Sequence, residues 1–117
     1  MCNANYKKID NVVVIKLKGE LISQDCKKLK DDLKQYISID KYFVFDLEDL
    51  SMIDSSGLGY IIYTLKTVSP QNGDVRISNL CGQPKVIFEI TRVNSIFKQY
   101  DTQDDAVQSY SSIRGIL

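Results

Sequence analysis

Residues 42–68 constrain this chain most, because a β-type and an α-type apolar pattern meet there across a short polar stretch. Tyr42, Phe43, Val44, Phe45 and Leu47 form a compact run of aromatic and β-branched side chains, as in a strand buried on both faces. Leu58, Ile61, Ile62, Leu65 and Val68 then recur at helical spacing, which predicts a helix starting near Ser56. Strand, loop and helix in direct succession are the repeating unit of α/β folds. Ser55 and Ser56 stand where serine is favoured as an N-cap, since its oxygen can accept from an otherwise unpaired backbone N–H. Gly57 and Gly59 lower the bulk of the first turn at some cost in helix propensity.

The rest of the chain repeats the alternation without a linker, a repeat or a low-complexity tract. Residues 4–9 and 12–18 read as two strands joined at Asp10-Asn11, a hairpin signal. A helix is expected over 24–37 with Ser23 as its cap; Cys26, Leu29, Leu33, Tyr36 and Ile37 form its buried stripe. Ser69, Pro70, Gln71, Asn72 and Gly73 break the chain, after which Val75, Ile77 and Leu80 alternate with Arg76 and Ser78 as a strand. Pro84 is placed to open a short helix, a short strand is expected over 96–99, and Asp101, Asp104 and Asp105 introduce a last helix bearing Ala106, Val107 and Tyr110. The expected fold is a single α/β domain over 1–117. Its sheet is mixed but mostly parallel, of four to five strands opened by a hairpin, and about four helices pack largely on one face.

Composition narrows the chemistry. Lys plus Arg and Asp plus Glu both number 15, so no basic excess recruits nucleic acid. Lys27, Lys28, Lys30 and Lys34 alternate with Asp25, Asp31 and Asp32, which reads as a solvated helix face. The apolar runs are too short to cross a bilayer and residues 1–8 lack a secretory h-region, so a cytoplasmic location is expected. Cys2, Cys26 and Cys81 are widely spaced, without a C-x-x-C pair for a disulfide framework or zinc site; Cys26 is expected in the core. There is no histidine, which removes Ser/His and Cys/His catalysis in their usual forms. A nucleophile elbow needs Gly two residues before its serine, where Ile53 and Asp54 stand instead. No G-K-S or G-K-T occurs for a phosphate-cradling loop. Asp46, Glu48, Asp49 and Asp54 are out of step for a hard-cation site and read as the polar rim of the loop. No metal, cofactor or catalytic residue is therefore expected. Tyr60 and Tyr63 fall off the buried stripe, which suits either an interface or the edge of the core.

The segment Glu48, Asp49, Leu50, Ser51, Met52, Ile53, Asp54, Ser55, Ser56, Gly57, Leu58, Gly59 closely resembles the signature of STAS-domain anti-sigma factor antagonists. The likeness continues at 12–21, ending in Gly19, Glu20 and Leu21, and at Ile87, Phe88, Glu89, Ile90 and Thr91 followed by Ile96 and Phe97. The resemblance implies a non-enzymatic switch. Ser55, directly after Asp54, would be the phosphorylated serine; Asp54, Ser56, Gly57, Leu58, Ser23 and Asp25 would form the partner-binding surface. The partner would be an anti-sigma factor serine kinase of the histidine-kinase-like ATPase type, and a phosphatase of the 2C class would reset the switch. The family commonly carries an acid where this chain has Ile22; the nearest carboxylate is Asp25. The departure keeps a second reading open, a constitutive scaffold or ligand-binding module of a multiprotein signalling or lipid-transport complex, with both serines acting only as caps. A phosphate on Ser55 would add about 1.5 to 2 negative charges beside Asp54 and the helix start, enough to change any surface contact made there.

Overall fold

The structure, a computed structural model, describes residues 1–111. Two strands, β1 (Cys2–Ile9) and β2 (Val12–Leu21), form the expected antiparallel hairpin. Asp10 and Asn11 both have positive φ, 49° and 68°, as the mirror-image two-residue turn requires. The chain continues through α1 (Ser23–Ile37), β3 (Tyr42–Ile53), α2 (Ser55–Val68), a 3-10 turn at Ser69–Gln71, β4 (Asp74–Ser78), α3 (Gly82–Ile90), a second 3-10 turn at Val93–Ser95, β5 (Lys98–Tyr100) and α4 (Gln103–Gln108). Among the described residues the strands lie in sequence order in one five-stranded sheet, with β2 to β5 parallel and β1 antiparallel.

Strand alternation sorts the core onto two faces. Val13, Ile15, Leu17, Phe43, Phe45, Val75 and Ile77 point to the face covered by α1, α2 and α3, where Leu29, Leu33, Leu58, Ile61 and Phe88 meet them. Val12, Val14 and Val44 point the other way, under Ala106, Val107 and Tyr110. Among the described residues, three helices thus share one face and α4 alone covers the other. That last helix is tied down by polar anchors. The Tyr110 hydroxyl donates to the Phe43 carbonyl at 2.9 Å, and buried Arg76 lies 4.0 Å over the Tyr110 ring while donating to Ser109 Oγ and Asp74 Oδ2. Arg76 and Ser78, expected to face away from Val75 and Ile77, do so and are buried there.

Several boundaries move for identifiable reasons. β3 does not stop at Leu47 but runs to Ile53, with two register shifts against β2, between Lys16 and Lys18 and between Gly19 and Glu20. These irregularities scramble the alternation of apolar and polar residues that marks a strand in sequence. At the first of them the Asp46 carboxylate takes the Glu48 amide at 3.1 Å, and it also accepts from Asn79 Nδ2 and Gln103 Nε2. Asp46 is therefore buried beneath α4 rather than on a loop rim. Glu48 and Asp49 instead reach the exposed ammonium of Lys16, at 3.3 and 3.5 Å, so the carboxylates of this stretch do not share a site. β4 ends at Ser78, short of Leu80, and β5 falls two residues later than its apolar signal. α3 opens at Gly82 rather than Pro84, and α4 at Gln103, capped by the Thr102 hydroxyl.

Candidate functional site

Ser55 and Ser56 are the first two residues of α2 and both are exposed, at the carboxyl end of β3 where α/β sheets present their ligand-meeting loops. Neither caps the helix. Asp54 is the N-cap, and Asp54 Oδ1 accepts from the Gly57 amide at 2.8 Å. The second oxygen, Oδ2, accepts from the Ser23 amide at 3.1 Å, across to the start of α1. α1 needs that help because its N-cap is Ile22, not Ser23, and Ile22 supplies no side-chain acceptor. One carboxylate thus serves two helix starts, and an aspartate outperforms serine here because it has two acceptor oxygens. The Asp54 backbone is fixed as well: its N–H donates to the Leu21 carbonyl at 3.2 Å and its carbonyl accepts from Leu58 N at 2.9 Å.

Gly57 holds α2 against this frame. A Cβ there would overlap the Leu21 carbonyl and come within 2.7 Å of Leu21 Cγ and 2.9 Å of Ile53 Cγ1. Leu58 is turned into the core with 6% exposure. The anticipated surface therefore divides in two. Ser55, Ser56 and Ser23 are open to solvent, whereas Gly57 and Leu58 face inward and hold the helix that presents them. Asp25, in the first turn of α1, is half-buried with Oδ2 unpartnered. Burial, with Asp25 next in weight, raises the Cys2 thiol to about 11. The Cys26 thiol is also pushed up by burial, and donates to the Ile22 carbonyl at 3.4 Å.

Tyr60 is a correction: it is fully buried, packed edge-on to Phe45 at 5.7 Å between ring centroids. The buried face of α2 is Gly57, Tyr60, Ile61, Thr64 and Val68, together with Leu58. A glycine and a threonine on that face concealed it in the sequence. Tyr63 is half-buried, with Lys30 Nζ 4.9 Å from its ring centre.

Gln83 was not singled out by any spacing or motif. Its side-chain amide grips the Ile53 peptide, Oε1 accepting from Ile53 N at 2.9 Å and Nε2 donating to Ile53 O at 3.0 Å. At the same end of the sheet a cleft of about 400 Å³ opens beside Glu48, Asn79, Cys81, Lys85, Tyr100 and Asp101, apart from Ser55. Among the described residues no helix is long and apolar enough to cross a membrane, and no group of three or more His, Cys, Asp or Glu is placed to hold a metal ion.

This architecture has known counterparts. A family-level description, STAS domain, matches residues 3–106. The chain belongs to the STAS-domain family. It is similar to the anti-sigma-B factor antagonist of Bacillus subtilis, with 26% identity over 106 residues that cover 91% of this chain and 97% of that one. A crystal structure of a Thermotoga maritima protein assigned as an anti-sigma factor antagonist superposes with TM-score 0.85 and 25% identity, covering 91% and 92% of the two chains. The Bacillus cell fate determinant SpoIIAA shares the fold in its phosphorylated form, with TM-score 0.74, 19% identity and coverage of 92% and 98%. The unphosphorylated SpoIIAA anti-sigma factor antagonist gives the same TM-score and identity over 97% and 99% of the chains.

Proposed function

We propose that this STAS domain is an anti-sigma factor antagonist that works as a phosphorylation-controlled binding switch, with Ser55 as the phosphoacceptor. The observation that carries the reading is the exposed Ser55 hydroxyl at the first position of α2, next to an aspartate whose four hydrogen bonds fix the backbone. The unphosphorylated chain docks an anti-sigma factor serine kinase of the histidine-kinase-like ATPase type through Ser55, Ser56, Ser23 and the turns carrying them, and so frees a sigma factor in the cytoplasm. In the kinase complex the Ser55 oxygen attacks the γ-phosphorus of ATP, the bond to the ADP oxygen breaks, and the hydroxyl proton passes to a base of the kinase. The chain itself performs no catalysis. The new dianion stands beside Asp54, whose carboxylate cannot turn away because both its oxygens hold helix amides. Like-charge crowding and desolvation at the contact then eject the partner, and a phosphatase of the 2C class restores the serine.

Titrating the kinase with wild-type chain, Ser55→Ala and Ser55→Asp tests the reading. Wild type and Ser55→Ala should bind alike, and Ser55→Asp at least about tenfold more weakly, or about 1.4 kcal/mol. Equal affinity of all three rejects the switch. The cleft beside Glu48 and Asp101 and the absence of an acid at Ile22 favour the second reading, a constitutive scaffold or ligand-binding module. Intact mass after incubation with the kinase and ATP separates the two, since a scaffold gains no phosphate.

A further inference from the structure

β3 overhangs the sheet. Its pairing with β4 covers Tyr42 to Asp46 only, opposite Asp74 to Ser78, yet the strand continues to Ile53. The β2 side remains paired to the end, where Leu21 lies opposite Ile53. On the β4 side the Ile53 peptide would face no backbone, and Ile53 is buried, so its N–H and C=O need a partner from elsewhere. Gln83 supplies it with one planar amide that accepts from the N–H and donates to the C=O, the paired exchange an antiparallel strand would make. The amide is held ready. Gln83 is half-buried in the first turn of α3, followed by buried Pro84, with fully buried Phe88 pinning the helix to the core.

We propose that Gln83 is a positioning residue for the Ser55 switch: by gripping the peptide two residues ahead, it sets the place and direction in which the Ser55 hydroxyl is offered. The proposal rests on the reading of Ser55 as phosphoacceptor. Asp54 fixes the chain from the α1 and α2 sides, and Gln83 fixes it from the α3 side, so Ser55 is aimed by all three helices on that face. Phosphoryl transfer needs the acceptor oxygen in line with the leaving group, and a misplacement of about 1 Å can cost about a hundredfold in rate.

The test is Gln83→Met, which keeps the length of the side chain and removes both bonds, examined by residue-resolved amide exchange and by phosphorylation with a purified anti-sigma factor kinase that modifies the wild-type chain. We expect faster exchange at Ile53, altered amide signals at Asp54, Ser55 and Ser56, unchanged protection in β1, β2 and α1, and kcat/KM for phosphorylation lower by about tenfold or more. Gln83→Glu, which retains an acceptor for Ile53 N, stands in should Gln83→Met fail to fold. Wild-type phosphorylation by a variant whose Ile53 amide has become labile overturns the proposal. So does a loss of protection spread over the whole sheet, because Gln83 would then support only the fold. If no kinase modifies the wild-type chain, the function proposed above fails and the positioning role falls with it. Where the wild type is modified, loosening confined to residues 53–56 supports the proposal, and undisturbed signals at Asp54 to Ser56 sink it.

Discussion

Asp54 carries more of the local order than its partly exposed position suggests. Its two carboxylate oxygens cap α2 and α1 together, whereas solvent screening leaves exposed pairs such as Lys16 with Glu48 little to contribute. Replacing an N-cap by alanine costs about 0.5–2 kcal/mol. Asp54→Ala releases two amides at once, so its loss should lie near the upper end, about 2 kcal/mol. Asp54→Asn keeps one acceptor oxygen and should lose about half as much. Urea unfolding of the three proteins checks this, and equal stability of Asp54→Ala and wild type would remove the double cap from the account. Ile22 gives this cap its importance: an acid there would serve the α1 amides directly, and in this chain they depend on a residue 31 positions away. The resemblance identified Asp54 and Ser55 as neighbours, but nothing in the order of residues shows that the aspartate reaches Ser23.

At the scale of the element, α2 depends on two glycines with opposite roles. Gly57 sits where α2 crosses the end of β2, with the Leu21 carbonyl and the side chains of Leu21 and Ile53 filling the space of a methyl group. Gly59 has nothing within 4 Å of where a Cβ would lie. Gly57→Ala should therefore destabilise by about 1–3 kcal/mol through overpacking, and tilt the helix start that bears Ser55. Gly59→Ala should stabilise by about 0.4–1 kcal/mol, because the site is helical and the unfolded chain loses freedom. Thermal midpoints moving in opposite directions would bear this out, and a shared direction would contradict it. The helix itself was legible from Leu58, Ile61 and Val68. Its exact buried face was not, since Gly57 and Thr64 are small or polar by composition and apolar only by location, and Tyr60 followed them inward. β3 shows the same limit: Tyr42 to Leu47 announces a strand, while four of the six residues after it, Asp49, Leu50, Met52 and Ile53, pair with β2 through irregular register that no alternation reveals.

For the whole molecule, the two cores titrate in the alkaline range. Burial lifts the Cys2 thiol from 9.0 to about 11 and the Tyr6 phenol from 10.0 to about 12, and pushes Tyr60 and Tyr110 upward as well. In each case the fold favours the neutral form. The stability linked to these groups is therefore complete below their ordinary values, and is lost as pH rises through the window from about 9 to 12. The urea midpoint should fall between pH 8 and pH 11, and Tyr60→Phe should flatten part of that fall. A midpoint constant over this range would show that these groups are not desolvated as the packing requires. Tyr6 stacks on Tyr36 at 4.6 Å and Tyr110 anchors α4 through Phe43, so the decline would touch both faces of the sheet.

By itself the sequence determined the order of strands and helices, the opening hairpin, the mostly parallel sheet and the strand-to-helix turn at Ser55, because each follows from short-range periodicity and turn chemistry. Tertiary structure decided everything that depends on distant segments meeting. Asp54 became a cap shared by two helices, Gln83 a surrogate strand, Asp46 a buried acceptor beneath α4, and Tyr60 a core residue. A backbone hydrogen bond or a close approach of two elements is fixed by three-dimensional register, and register is a property of pairs of segments that no single stretch of chain contains.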